Sequence, residues 1–172
     1  RQVRYLRHTA GDAHRGVSRM QATIALSYAA LCIAGQNRHI KSTTTRLVAE
    51  IERQILPDGG HISRDPGAIV EVLLELLPLR QAFAARNIAP PQALLAAIDR
   101  MMPMLRFFRH SDGTLAHFNG MGPTPAELLM TLLAYDEMRG APLSNAPYSA
   151  YQRLEAGNGV LIMDTGRPPP IE

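Results

Sequence analysis

The sequence predicts a mainly helical fold that ends in the first strands of an antiparallel β-sheet. Apolar residues recur at helical spacing in five successive segments up to about residue 140. The stretch YSAYQRLEAGNGVLIMDTG then holds two short runs around Gly157, Asn158 and Gly159, which is a strand–turn–strand pattern. We therefore divide the chain into a helical domain over residues 1–143 and the start of a β domain over residues 144–172.

The first two predicted helices are defined by their apolar faces and their end signals. One covers residues 17–34, is apolar on most sides, and is closed by Gly35. The next covers residues 42–56, with Ser42 or Thr43 as its N-cap and charged residues on the face away from the core. Both segments therefore predict core helices.

Three more helices complete the helical part. One starts near Pro66, because proline is well tolerated in a first helical turn, and only Glu71 and Glu75 interrupt its apolar surface. Such a helix is expected to be buried on nearly all sides. The last two are predicted over residues 92–108 and 125–138.

An Asp-Gly pair closes two of these helices, Asp58-Gly59 and Asp112-Gly113, at an offset of 54 residues. That offset equals two helices with their connections, which is the length of one helical hairpin in a repeating array. The match beyond Asp-Gly is short, so a repeat and two unrelated turns are both compatible with it.

Composition narrows the class of function. The net charge of +3 and pI of about 9.4 suit an anionic partner. Aromatic residues make up only 5% and do not alternate with basic ones, so we expect no nucleic-acid partner. The lone Cys32 is expected to be a small buried hydrophobe. The longest nearly apolar run, residues 23–35, is too short to span a membrane.

The connection QILPDGGHISRDP is the first candidate site. His61 can take or give a proton near neutral pH, and Arg64 can hold a carboxylate. The alternative is a plain helix–helix turn with solvated polar residues. We expect no metal and no cofactor, since no His, Cys, Asp or Glu set has zinc spacing and no glycine-rich phosphate loop follows a strand.

The connection RFFRHSDGTLAHFNGMG is the second candidate site. Its potential ligand-binding side chains are Arg109, His110, His117 and Asn119. Many hydrogen-bond donors in one short connection are uncommon for a linker. If the helical hairpins pack side by side, the two connections face one another across a cleft rich in cationic and imidazole groups.

Three segments together resemble a known family. LVAEIERQILPDGGHISRDP, RFFRHSDGTLAHFNGMG and NAPYSAYQRLEAGNGVLIMDTG are similar to segments of the heparinase II/III-type polysaccharide lyases, and more closely of alphaproteobacterial heparinase II/III-like proteins. The resemblance covers nearly the whole chain. It implies an incomplete α/α toroid of helical hairpins followed by a β-sandwich. This chain would hold the last part of the toroid and the first strands of the sandwich.

The resemblance also implies an activity, β-elimination on uronate-containing polysaccharides such as heparan sulfate or alginate. Arg64 would then pair with the uronate carboxylate and His61 would be the general base. Ala68 and Ile69 stand where the family carries a Tyr-His pair, and the histidine that the sandwich donates would lie beyond Glu172.

Two alternatives follow from these departures. One is a catalytically silent relative that binds an acidic polysaccharide or oligosaccharide, and the other is a helical interaction scaffold. The sequence does not distinguish a periplasmic from a cytoplasmic location in a bacterium, and it does not indicate an oligomeric state.

Overall fold

The computed structural model describes residues 1–135 and 140–167 of the chain. In those ranges six α-helices precede a three-stranded antiparallel sheet. The elements are α1 (Gln2–Thr9), α2 (Val17–Cys32), α3 (Ile40–Gln54), α4 (Pro66–Ala85), α5 (Gln92–Phe107), α6 (Ala126–Ala134), β1 (Asn145–Ala146), β2 (Tyr151–Ala156) and β3 (Gly159–Asp164). The mainly helical class with a β-region at the end is confirmed, whereas the described helices do not show a toroid.

Helix α4 lies at the centre of the core. It contacts α2, α5 and α6, and its buried residues face all of them. Val72, Leu73 and Leu76 are completely buried. Complete burial of such a side chain contributes roughly 1.5–3 kcal/mol, so α4 needs neighbours on several sides, as its continuous apolar surface predicted.

The ends of α2 and α3 differ from the predicted ones by two residues. Helix α2 ends at Cys32 because Ile33 adopts extended backbone angles. A 3₁₀ turn over Asn37–His39 leads directly into α3, so this helix begins at Ile40. The hydroxyl of Thr43 donates to the carbonyl oxygens of His39 and Ile40 inside the helix. The predicted N-cap at Ser42 or Thr43 was therefore wrong.

The predicted start of α4 at Pro66 is confirmed, and its cap is Asp65. The backbone of Asp65 is extended, and its carboxylate accepts a 2.7 Å hydrogen bond from the N–H of Gly67. This bond satisfies one of the free N–H groups of the first turn. The cap was not identified from the sequence.

Three further expectations had different outcomes. The helix predicted over residues 125–138 begins as α6, but residues 136–139 lie outside the described residues. Helix α1 was not predicted as a separate element, and none of its residues is buried. Cys32 is exposed, so the expectation of a buried hydrophobe was wrong.

The sheet has one face against the helices and one face open. Strands β2 and β3 are joined by a Gly157-Asn158 turn, with φ of 57° at Gly157, so the predicted strand–turn–strand is confirmed. Tyr151, Arg153 and Ile162 point inward and are buried. Residues that alternate with them along each strand point outward and are exposed: Leu154, Leu161 and Met163.

Candidate functional site

The connection between α3 and α4 is a tight turn pressed against α5. Ile55 and His61 form an isolated antiparallel bridge across it. Gly59 lies inside the turn with φ of 89°, and a Cβ at this position would be 2.0 Å from the carbonyl oxygen of Arg100. Both the positive φ and the close approach require glycine.

His61 is held in one protonation state by its surroundings. Its side chain is 1% exposed, and burial lowers its pKa to about 4. The main-chain N–H of Ser63 reaches Nδ1 at 3.1 Å, so Nδ1 is an acceptor and Nε2 carries the proton. Nε2 then donates to Gln54 Oε1 at 2.9 Å, and Gln54 Nε2 donates to Glu50 Oε2 at 2.9 Å. His61 is therefore a neutral member of a buried hydrogen-bond chain.

Arg64 points into the sheet. Arg64 is 9% exposed, and its backbone has a positive φ of 58°. Nε donates to the carbonyl oxygen of Ser149 at 2.9 Å, and the two terminal nitrogens bond to the carbonyl oxygen of Arg167 and to the carboxylate of Asp164. The predicted roles of His61 as base and Arg64 as carboxylate ligand stay predictions, and this geometry gives both residues partners within the fold.

The two candidate connections do face each other, and the sheet fills the space between them. Asn119 Nδ2 donates to the carbonyl oxygen of Arg64 at 3.0 Å, and it also lies 2.7 Å from the hydroxyl of Tyr151 and 3.2 Å from Asp164 Oδ2. Burial raises the pKa of Tyr151, and the nearby charge of Asp164 adds to this. Burial alone would raise the pKa of Asp164, but hydrogen bonds from Gly166, Arg64 and Asn119 outweigh it and lower that pKa.

Asp58 also attaches the connection between α3 and α4 to the residues just before β2. Its Oδ2 accepts hydrogen bonds from the N–H of Tyr148 at 2.9 Å, the N–H of Ser149 at 2.7 Å and the hydroxyl of Ser149 at 2.9 Å. Its Oδ1 accepts from the N–H of Gly60 within the turn. Sequence inspection identified Asp58 only as a turn residue, because its partners lie some ninety positions later in the chain.

Arg153 forms a third attachment. Its Nη1 donates to the carbonyl oxygens of Phe107 and Arg109 at 2.6 and 2.7 Å, at the end of α5. These carbonyls have no partner within the helix, so the guanidinium satisfies them. Glu155 pairs with the same side chain at 2.6 Å. No motif or spacing in the sequence indicates this role of Arg153.

We call this set of contacts the sheet junction. Tyr151 packs edge-on against Phe108, with ring centroids 4.9 Å apart, and Phe118 lies 5.1 Å from it. The aromatic contacts exclude water from the surrounding hydrogen bonds, which strengthens them. The polar members of the sheet junction are Asp58, Arg64, Asn119, Tyr151, Arg153 and Asp164.

The remaining predicted ligand-binding residues are separated. Arg109 and His117 line a cavity of about 540 Å³ between the second connection and α6, whereas His110 does not line it. Asn119 belongs to the sheet junction. The ligand-binding roles of these residues stay predictions. Within residues 1–135 and 140–167, no group of three His, Cys, Asp or Glu side chains is placed to hold a metal ion. In the same part of the chain, no helix is long and apolar enough to cross a membrane.

Comparison with known proteins identifies a curated relative. The chain is 35% identical over 152 residues to FtsZ-localized protein C of Caulobacter vibrioides (strain NA1000 / CB15N). The match covers 87% of this chain and 26% of the relative, so the chain spans about a quarter of the relative's length. No family model matches the chain. No solved structure matches it either.

This relative corrects the functional prediction. The resemblance to heparinase II/III-type polysaccharide lyases was wrong: the relative is named for its localisation with FtsZ, and no lyase family model matches. The expectation of an acidic polysaccharide partner rested on the same resemblance and has no support from this relative. The silent carbohydrate binder and the general helical scaffold fit the comparison no better. Of the polar residues that suggested lyase chemistry, Arg64 and Asn119 belong to the sheet junction, and His61 is hydrogen-bonded to Gln54.

Proposed function

We propose that this chain is part of an FtsZ-localized protein and that it acts by binding another protein. The observation that carries the proposal is the 35% identity over 152 residues to a protein of that name. An identity at this level over most of the chain supports a shared fold. Since the relative is about four times longer than the matched region, localisation is proposed for the protein that contains this chain.

The geometry supports a binding role better than a reaction. His61 and Arg64, the two side chains that were predicted to carry a reaction, are buried and hydrogen-bonded within the fold. Two large apolar side chains, Tyr5 and Ile33, are exposed where α1 meets the end of α2, and both line one cavity. Exposed apolar surface of this kind is typical of contact surfaces between proteins.

Co-localisation in living cells tests the proposal. The protein that contains this chain is expressed as a fluorescent fusion in its bacterial host, beside a second colour on FtsZ. The expected result is a fusion signal that follows FtsZ and disperses when FtsZ is depleted. A fusion of the same fluorescent protein alone is the control. A signal with the same distribution in the presence and absence of FtsZ overturns the proposal.

A finer architecture is proposed together with this function. We infer that the helices of residues 1–143 belong to an array of helical hairpins of the toroid type, and that residues 144–172 begin a separate β-sandwich domain. The support is the change from helices to strands at β1 and the apolar outward face of the sheet, where Leu154 lies opposite Leu161. A second sheet would cover that face.

Substitution of the outward face tests the sandwich. Leu161→Asp in the longer protein should lower the melting temperature, since a buried unpaired charge is strongly unfavourable. Leu143→Asp, the same substitution at an exposed position before β1, is the matched control. An unchanged melting temperature for Leu161→Asp shows that this face stays in contact with water and ends the sandwich proposal.

A further inference from the structure

Positive charge is concentrated at the beginning of the chain. Residues 1–49 hold eight arginine and lysine residues and one acidic residue, Asp12. The remaining 123 residues hold ten basic and fourteen acidic residues. The overall charge is only +3, but the segment that comprises α1, α2 and most of α3 is strongly cationic.

Several of these basic side chains line one hollow on the surface. A cavity of about 500 Å³ is lined by Arg1, Arg4, Arg7, His8 and Arg38, together with Val3, Ile33 and Gln36. No acidic side chain of the described residues belongs to that lining. Arg7 donates to Gln36 Oε1 at 2.7 Å, while its buried Nε has no hydrogen-bond partner among the described residues. Slight desolvation and the charges of Arg7 and Arg38 lower the pKa of His39 beside it.

An apolar groove continues from the hollow. It has a volume of about 980 Å³ and shares Arg1, Val3 and Ile33 with the hollow. Its walls are the facing sides of α1 and α2, including Leu6, Leu26 and the exposed Cys32, and its lining also includes Glu75 of α4. Tyr5 is 72% exposed and Ile33 45% exposed at its edges. We call the hollow and groove together the α1–α2 groove.

We propose that the α1–α2 groove binds an acidic polypeptide segment that carries aspartate or glutamate beside large apolar side chains. The cationic hollow complements the carboxylates, and the apolar part of the α1–α2 groove accepts the apolar side chains. A nucleic acid presents phosphates without apolar side chains to fill the groove, and a flat lipid surface does not enter a concave one. The inference rests on the proposed function for the choice of a protein as partner.

An unbiased selection identifies the ligand class. The full chain is used to select from a displayed library of random peptides, and the control selection uses the Arg4→Gln/Arg38→Gln variant. Both arginines are exposed, so the variant is expected to keep its melting temperature. Peptides enriched by the natural chain should combine Asp or Glu with Leu, Ile or Phe. Equal enrichment by the variant, or enrichment of basic or uncharged peptides, overturns the proposal.

Binding of one selected peptide then locates the site. Arg4→Gln/Arg38→Gln should weaken binding at least about tenfold, and added salt should weaken binding to the natural chain. Arg86→Gln removes an exposed charge at the end of α4, outside the groove, and should leave binding unchanged. Bound peptide should also slow alkylation of Cys32 at least about tenfold. Equal weakening by Arg86→Gln, or unchanged alkylation, places the peptide elsewhere and overturns the proposal.

Vesicles of equal parts phosphatidylglycerol and phosphatidylcholine test the competing occupant. The natural chain and the Arg4→Gln/Arg38→Gln variant are both sedimented with them. Stronger binding to vesicles than to every selected peptide, lost in the variant, assigns the groove to lipid and overturns the polypeptide proposal. Vesicle binding that is absent or equal in both proteins supports it. This test uses no FtsZ, so its outcome is separate from that of the localisation experiment.

Discussion

The hydroxyl of Tyr151 donates a 2.6 Å hydrogen bond to the carbonyl oxygen of Arg64, although 87 residues separate the two in sequence. Tyr151 lies on β2 and is completely buried, and Arg64 lies in the connection between α3 and α4. Asn119 from the second connection donates to the same carbonyl oxygen. One main-chain group thus joins the sheet to both connections.

Removing that hydroxyl should destabilise the protein. Tyr151→Phe keeps the ring packing but leaves the carbonyl of Arg64 with only Asn119 as donor. Because that carbonyl keeps one donor, the loss is expected to be roughly 0.5–1.5 kcal/mol. Denaturant unfolding measures the change, with Tyr148→Phe as the control because its side chain is 63% exposed. Equal free energies of unfolding for both variants would show that the Tyr151 hydroxyl contributes nothing.

The two Asp-Gly turns should respond differently to the same substitution. Asp58→Asn replaces a carboxylate that accepts three hydrogen bonds from Tyr148 and Ser149, and the loss is expected to be about 2–3 kcal/mol. Asp112 is exposed, and its hydrogen bonds to the described residues are to Thr114 within its own turn, so Asp112→Asn should cost clearly less. Thermal melting of both variants measures this difference. A larger loss for Asp112→Asn would contradict the attachment of the sheet by Asp58.

Two glycines with positive φ separate backbone strain from steric contact. Gly59→Ala adds strain and a Cβ 2.0 Å from the carbonyl oxygen of Arg100. Gly157→Ala adds the strain alone, since no atom lies within 4 Å of its Cβ position. We expect about 1 kcal/mol for Gly157→Ala and at least twice that for Gly59→Ala. Similar melting temperatures for the two variants would show that the turn moves away from α5 without cost.

The stability of the fold should fall between about pH 6.5 and pH 4 through His61. Its folded pKa of about 4 lies below the unfolded value of 6.5, because burial disfavours the charged form. Above pH 6.5 the imidazole is neutral in both states; below it the unfolded state binds a proton first, so unfolding is favoured as pH falls. The expected loss is about 3 kcal/mol by pH 4.

Urea unfolding over this pH range, compared with His61→Gln, isolates that contribution. The variant has no titrating group at this position, so its stability should fall less steeply. Other groups contribute equally to both profiles, and the difference between them is the quantity of interest. Parallel profiles would mean that His61 titrates normally and is open to water.

Local patterns in the sequence were sufficient for most of the fold. Helical periodicity depends on neighbouring residues, so α2, α3, α4 and α5 were located within two residues. The turn at Gly157 is equally local. The first residue of α3 was not predicted correctly, because a 3₁₀ turn with no capping residue leads into this helix. Helix α1 has eight residues, which is too few for a periodic apolar pattern to identify a helix.

The site could not be predicted in the same way, because its contacts are distant in sequence. Arg64 and Asp164 are 100 residues apart, and Arg153 reaches the end of α5 from 46 residues away. A polar residue in a connection has the same sequence signature whether it faces solvent, a ligand or a later strand. The proximity of the two connections was predicted, but their burial by Tyr151 was not.

The two connections hold the sheet to the helices, and this attachment can be tested in one experiment. Hydrogen–deuterium exchange of the Arg64→Met variant tests it most directly, because this substitution removes the bonds to Ser149, Arg167 and Asp164 and keeps an unbranched side chain. We expect the amides of β2 and β3 to exchange at least about tenfold faster than in the natural chain, while those of α2 and α3 are unchanged. Unchanged exchange in both strands would contradict it.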